Sequence, residues 1–360
     1  MAEIISIATA LPQYCHKQNE IIHLMSEIYE LDATEKRKLV FLYKHSGIET
    51  RYSVIDDYSL PKNEWDFIPR QNRKRFPNVE ERMKIFDKES LILSLSSIGK
   101  CIAGFIKPKD ITHLITVSCT GMSAPGLDLR ITEAMDLSPN IFRTSVNFMG
   151  CYAAIHALKL AKMICDTTPL ANVVIADTEL CTLHFQKEYT PDNAASSLLF
   201  ADGSAAVLVS NNIKTAGSIS LNGFYSQVAF RGKSAMSWEL NSKGFLMKLS
   251  GYVPQLIEED IDALVAASLN HYEVEKKDIT HWCIHPGGKK ILQVIEQKLR
   301  LQKDDLCHSK NVLAKYGNMS SPTILFVLKD MMNNMQNGAN IFGVAFGPGL
   351  TMETFLATKK

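Results

Sequence analysis

The chain has 360 residues, enough for one large domain or two, and an ordinary apolar fraction of 46%. Its 39 Lys and Arg nearly balance 38 Asp and Glu, and a net charge of +1 argues against nucleic acid or an acidic surface as the main partner. No run of about 18 apolar residues occurs, which argues against membrane insertion through a helix.

The amino terminus, Met1-Ala2-Glu3-Ile4-Ile5-Ser6, has no basic segment followed by an apolar one and reads as a first strand, not a signal peptide. Residues 17–45 read as helical, with apolar positions at 21, 22, 25, 28 and 29 and a basic cluster Lys36-Arg37-Lys38. Residues 52–80 carry Pro61, Pro69 and Pro77, many charges and little periodicity, which predicts a long loop, a lid or an edge against a partner. Helical pattern resumes near Glu89 and runs to about Phe105. A buried strand over 111–118 leads through Cys119-Thr120-Gly121 and Ala124-Pro125-Gly126 into a helix containing Leu129, Ile131 and Ala134.

Residues 144–148 read as a strand that ends at Gly150. After Cys151, apolar residues at 154, 157, 158, 161 and 164 predict a mostly buried helix. Cys151 is therefore expected in the first turn of that helix, past a glycine that permits a tight turn. Free N–H groups and partial positive charge at a helix start favour a thiolate, so this cysteine is a candidate nucleophile. The alternative is a small buried core residue.

A strand over 173–177 and another over 205–209 complete a first half, 1–213, that alternates strand and helix as a layered α/β domain does. The second half, 214–360, repeats the rhythm. Strand-like residues 217–230 precede a loop with Trp238 and Gly244, then a helix from about Pro254 to Tyr272. The strand 281–284 stops at His285-Pro286-Gly287-Gly288. Ser320-Ser321-Pro322 predicts a serine-capped helix running to about Met335, and the strand 340–346 turns at Gly347-Pro348-Gly349.

The eight cysteines, at 15, 101, 119, 151, 165, 181, 283 and 307, are scattered and form no C-x-x-C pair. That argues against a zinc ribbon or a thioredoxin-type motif and predicts reduced thiols in a cytoplasmic protein.

Three polar residues stand at element ends: Cys151 before a helix, His285 after a strand, and Asn318 in Tyr316-Gly317-Asn318-Met319-Ser320-Ser321. Such ends are where α/β proteins gather chemistry. A cysteine and a histidine can form a thiolate–imidazolium pair, and an asparagine beside them can donate to a developing oxyanion. Taken singly, His285 is equally a turn residue closing a strand, and Asn318 a turn residue in left-handed conformation.

Gly150-Cys151, His285-Pro286-Gly287-Gly288, Tyr316–Ser321 and Gly347-Pro348-Gly349-Leu350-Thr351 together resemble the type III polyketide synthases, the chalcone synthase-like family, over about residues 3–356. The order Cys, His, Asn is shared with the ketoacyl synthase III enzymes; Met319-Ser320-Ser321 and the Gly-Pro-Gly turn point to the polyketide branch. Cys119-Thr120-Gly121 looks like the bacterial members. The resemblance implies a thiolase-type layered αβαβα fold of two similar halves, a homodimer, no bound cofactor and no metal. It implies that Cys151 takes an acyl group from an acyl-CoA starter, while His285 and Asn318 assist decarboxylation of malonyl-CoA and stabilise the enolate. The chain then grows by two carbons per cycle and cyclises to a pyrone, resorcinol or phloroglucinol-like product.

In this family two phenylalanines gate the malonyl site. Phe200 matches the first, whereas the second position falls on Met247, with Phe245 two residues earlier. The resemblance also places Cys119, Thr120, Ala124, Trp238, Ser320, Gly347 and Gly349 at the substrate pocket, Ala124 where plant members carry a methionine that crosses the dimer. It places Lys44 and Arg37 at the CoA phosphates, with Val40 at a third basic position; a solvated helix face is the plainer reading of those charges. A ketoacyl synthase III-like single condensation on acyl carrier protein would use the same triad; a binding subunit that kept the fold without the chemistry is a third reading, against which the intact Cys151, His285 and Asn318 argue.

Overall fold

A computed structural model describes residues 1–69 and 75–360. Its strands are β1 (Glu3–Ala10), β2 (Tyr14–Lys17), β3 (Thr50–Ser53), β4 (His113–Ser118), β5 (Phe142–Asn147), β6 (Asn172–Leu180), β7 (Asp202–Ser210), β8 (Ile219–Val228), β9 (Met236–Asn241), β10 (Gly244–Leu249), β11 (His281–Ile284), β12 (Asn340–Gly347) and β13 (Thr351–Lys359). Its helices are α1 (Gln18–Ile28), α2 (Ala33–His45), α3 (Val79–Ile102), α4 (Leu127–Ala134), α5 (Ala153–Thr167), α6 (Pro191–Leu199), α7 (Val253–His271), α8 (Lys289–Lys298), α9 (Cys307–Tyr316) and α10 (Pro322–Met332).

Nine strands form one sheet in the order β11-β12-β13-β8-β1-β7-β6-β4-β5. It is two sheets joined where β1 meets β8 through only Glu3–Ser220 and Ile4–Ile219. Period-two alternation of apolar residues explains the layering. In the first half Ile115, Val117, Val173, Ile175 and Val207 face one core, and Leu114, Val174, Ala206 and Leu208 face another. In the second half Ile341, Ala345 and Ala357 share the first of these cores, while Phe342, Val344 and Phe346 face a third. The shared core holds α5 and α10. The layers therefore run α3/α4, sheet, α5/α10, sheet, α7/α8, which is the αβαβα thiolase-type architecture.

Several local expectations change. The helical stretch 17–45 is two helices, and α2 starts at Ala33 because Asp32 accepts hydrogen bonds from the N–H groups of Thr34 and Glu35. The expected 52–80 loop is irregular over its described part, with residues 70–74 outside the described residues, but it ends early. Asn78 and Glu81 form a reciprocal cap that starts α3 ten residues before the apolar period becomes visible. The segment around Trp238 is not a loop but the hairpin β9–β10, with Met247 opposite Trp238. Pro322 does open α10, yet Ser321 does not cap it; its hydroxyl bonds buried carboxylates instead.

Candidate functional site

The ends of β4, β5, β6, β11 and β12 converge on one region, delivering Cys119, Cys151, Cys181, His285 and the Phe346–Pro348 turn to it. After β5, Phe148 and Gly150 take left-handed conformations (φ 58° and 85°) and reverse the chain. Cys151 and Tyr152 form a turn, and α5 begins at Ala153, so Cys151 lies just ahead of the helix rather than within its first turn. A Cβ at Gly150 would stand 2.2 Å from Pro348 Cδ, and one at Gly347 would stand 2.6 Å from Tyr152 Cδ1 and 3.3 Å from the Cys151 nitrogen. The Gly347-Pro348-Gly349 turn is thus packed backbone against backbone on the Cys151 turn, which is why glycine is needed on both sides.

His285 continues β11, donating its N–H to Val344 at 2.9 Å. It is 1% exposed, and neither ring nitrogen has a hydrogen-bond partner among the described residues. Burial lowers its pKa to about 3, so the imidazole is neutral. Asn318 is not a left-handed turn residue; Gly317 and Ser320 carry the positive φ angles beside it (69° and 61°). Its backbone bridges that of Phe200, through Asn318 N–H to Leu199 O and Ala201 N–H to Asn318 O, both 2.9 Å. Asn318 Oδ1 accepts the Ser320 N–H at 2.8 Å, which fixes the carboxamide orientation. The amide nitrogen reaches Gly287 O at 3.4 Å, a loose contact, and the side chain also lies close enough to Cys151 to favour its thiolate.

Cys151 Sγ donates to Ser320 Oγ at 3.6 Å. Burial pushes the thiol up to about 12; the bond to Ser320 opposes this, and the Glu179 charge adds to it. The expectation of a thiolate stabilised by a helix start is therefore corrected. Desolvation by burial outweighs the helix start here, and both Cys151 and His285 rest neutral.

Two cavities meet here. Cys151, Phe200, Met236 and Met247 line both. The inner one is walled by Cys119, Thr120, His184, Trp238, Phe245 and Ser320. The outer one is lined by His285 and Asn318 and continues to Phe41, His45, Lys289 and Lys290. Phe245 and Met247 share a face of β10, two residues apart, but only Met247 reaches the junction; Phe245 stacks on His184 with centroids 4.2 Å apart. Trp238 Nε1–H donates to Cys119 O at 2.7 Å, and Cys119 Sγ accepts the Gly150 N–H at 3.0 Å. Neither cavity is lined by Ala124, Gly347, Gly349, Lys44 or Arg37. Ala124 is exposed, and Lys44 and Arg37 project to solvent from α2, because Leu39 and Tyr43 define its buried face.

Several residues of this region escaped the sequence reading, two buried carboxylates among them. Asp177 and Glu179 lie on β6, buried at every position. Glu179 accepts the Cys119 N–H at 2.9 Å and the Thr120 hydroxyl at 2.6 Å; Asp177 accepts the Ser321 hydroxyl at 2.6 Å. Burial raises Glu179 to about 7 and Asp177 well above the carboxylate range. The available signal was a pair of carboxylates inside an apolar strand, which buries charge only for a reason. Among the described residues no group of three or more His, Cys, Asp or Glu is placed to hold a metal ion, and no helix is long and apolar enough to cross a membrane.

The sequence matches the family described as chalcone and stilbene synthases, through its N-terminal domain over residues 1–212 and its C-terminal domain over 225–359. It is 29% identical to type III polyketide synthase A of Arabidopsis thaliana, over 99% of this chain and 92% of that protein. It is 28% identical to the alpha-pyrone synthesis polyketide synthase-like Pks18 of Mycobacterium tuberculosis, over 99% and 91%. The crystal structure of PKS-I from the brown alga Ectocarpus siliculosus superposes with a TM-score of 0.92 at 25% identity, covering 100% of this chain and 98% of that one.

Proposed function

The chain belongs to the chalcone and stilbene synthase family, and from that premise we propose that Cys151, His285 and Asn318 carry out its chemistry. The chain is a type III polyketide synthase, an enzyme of the acyltransferase and ketosynthase kind. The observation that carries the residue assignment is the junction of two cavities at Cys151, beside an unpartnered neutral imidazole and a loosely held carboxamide.

In the first step the Cys151 proton passes to His285 as the sulfur attacks the thioester carbonyl of an acyl-CoA starter. The CoA thiolate leaves and takes the proton back, which restores a neutral imidazole. Malonyl-CoA then enters the outer cavity. Its C–CO2 bond breaks, and the electron pair moves onto the thioester oxygen. An N–H of His285 and the Nδ2 of Asn318 hold that oxygen away from water, where such bonds are strongest. The enolate carbon attacks the acyl-Cys151 carbonyl, and Cys151 leaves as a thiolate that takes up a proton from solvent, its original one having departed on CoA. The product is longer by two carbons, returns to Cys151, and after further rounds cyclises in the inner cavity.

Acyl-CoA and malonyl-CoA are the substrates, and the residues need no cofactor for these steps. Lys289 and Lys290, with His45, take the CoA phosphates in place of Lys44 and Arg37. Phe200 and Met247 gate the passage, and Cys119, Thr120, Trp238 and Ser320 shape the product. Residues 1–213 and 214–360 form the two thiolase-like halves. The enzyme is a homodimer joined at β5, an edge strand paired only to β4, whose Phe142 is 69% exposed. Incubation with labelled malonyl-CoA and a panel of acyl groups, offered as CoA and as carrier-protein thioesters, tests this reading. Repeated extension of CoA thioesters is expected. A strict carrier-protein requirement with one condensation would replace it by the ketoacyl synthase III-like reaction.

A further inference from the structure

Behind the junction of the two cavities lies Arg51, on β3, 4% exposed. Its Nε–H donates to Gln18 Oε1 at 2.9 Å, and its Nη1 donates to the carbonyl of Phe200 at 2.6 Å. Gln18 donates in turn to Leu198 O at 3.0 Å, so one brace grips the chain at residues 198 and 200. The same side chain supports the other strand of the bridge. A Cβ at Gly317 would stand 2.9 Å from Arg51 Cγ and 3.0 Å from Leu199 O. The arginine stem therefore fills the space beside Asn318 that any larger residue at 317 would need.

A buried arginine is costly unless paired, and among the described residues no carboxylate hydrogen-bonds this one. Its Nη2 has no well-aligned hydrogen-bond partner among them, although the Tyr43 phenol favours the charge. Asp202 adds a favourable charge without a direct bond; its carboxylate is taken by Val54 N–H and Thr182. Arginine stays protonated even where burial disfavours the charge. Among the described residues lining the inner cavity, Arg51 is the one with a permanent charge, since His184 is buried neutral. The species formed in the proposed cycle (thiolate, malonyl carboxylate, enolate) are all anionic.

We infer that Arg51 is a positioning residue for decarboxylation: it locks the Phe200–Asn318 bridge so that gate and carboxamide hold one geometry, and lends the site a fixed positive field. The inference rests on the proposed roles of Asn318 and Phe200. Cys151 is held separately, by the Gly347 turn and Cys119, so starter loading does not depend on the brace.

The experiment compares the wild-type enzyme with Arg51→Met, Arg51→Lys and Gln18→Leu. It measures kcat and KM for malonyl-CoA decarboxylation, the rate of acyl loading on Cys151, and the product distribution. Arg51→Met should lose about a hundredfold in kcat, the scale of a displaced reacting group, with KM and loading within about threefold. Arg51→Lys keeps the charge without the fork and should fall between, with a broadened product distribution. Should Arg51→Met not fold, Gln18→Leu and Arg51→Lys decide, each expected to lower kcat about tenfold with loading intact. Decarboxylation within about threefold of wild type in the folded variants would overturn the inference, as would equal loss of loading and decarboxylation. Wild-type enzyme that does not decarboxylate malonyl-CoA would instead sink the proposed function itself.

Discussion

Replacing Asn318 with alanine removes two contacts of different kinds. The first is structural: Oδ1 accepts the buried Ser320 N–H at 2.8 Å, and its loss leaves that donor unmet, at a cost of about 1–3 kcal/mol in stability. The second is chemical. Nδ2 sits against Gly287 O at 3.4 Å, too long for a firm bond, and is free to turn to a thioester oxygen. Losing one such donor costs about 2.7–4 kcal/mol in the transition state, or about a hundred- to a thousand-fold in rate. The backbone bridge to Phe200 uses main-chain atoms and survives the substitution. Asn318→Asp separates the two effects, because a carboxylate still accepts the Ser320 N–H but offers no donor and repels an enolate. Both variants should therefore load starter on Cys151 at near wild-type rate and release labelled CO2 from malonyl-CoA at least about a hundredfold more slowly, while only Asn318→Ala melts early. Intact-protein mass spectrometry and CO2 release measure the two steps independently. Decarboxylation at near wild-type rate in either variant, or equal loss of loading, would refute the assignment and leave Asn318 a structural turn residue.

Three further outcomes follow from the geometry. Met247→Phe places a stiff ring at the junction of the cavities and should shift product length or starter preference while sparing decarboxylation; an unchanged product profile would show that this position is not a gate. Because burial pushes the Cys151 thiol up to about 12, its alkylation by iodoacetamide in the empty enzyme should rise about tenfold per pH unit from about pH 7 to 9, and a plateau below pH 7 would contradict this. Glu179 has its folded pKa raised to about 7 from 4.5, so its contribution is fully present below about pH 4.5 and lost as pH rises through about 7, on the order of 3 kcal/mol. Glu179→Gln has no such titration, so the stability of wild type relative to the variant should fall by about 3 kcal/mol from about pH 4.5 to 7; a constant or rising difference would refute the raised pKa.

The layered α/β character was legible because strand and helix alternate along each half, and the thiolase-type arrangement only through the family resemblance; that Leu114 and Ile115, or Val173 and Val174, face different cores was not, because all four are apolar. Cys151, His285 and Asn318 were legible by their places at element ends beside glycine. The thiol's protonation was not, because a helix start is local whereas desolvation is set by everything packed around it. Lys44 and Arg37, expected at the CoA phosphates, line neither cavity for a related reason. Lys44 is close in sequence to the site's rim, but the helical phase set by Leu39 and Tyr43 turns it to solvent. Lys289 reaches the outer cavity only because α8 packs there. The β9–β10 hairpin was missed because Met-Ser-Trp-Glu-Leu-Asn is short, with three exposed residues at its end. Arg51 had no sequence signal: it stands 149 residues from the carbonyl it holds.

The most direct test of the central claim is to quench the wild-type enzyme after brief exposure to an acyl-CoA starter, with and without malonyl-CoA, and to map the modified peptide by mass spectrometry. The starter alone should leave its acyl group on the peptide containing Cys151. Malonyl-CoA should then convert that adduct into a ladder of two-carbon extensions on the same residue. An acyl adduct confined to another cysteine, or extended product from a Cys151→Ala enzyme at near wild-type rate, would contradict the account.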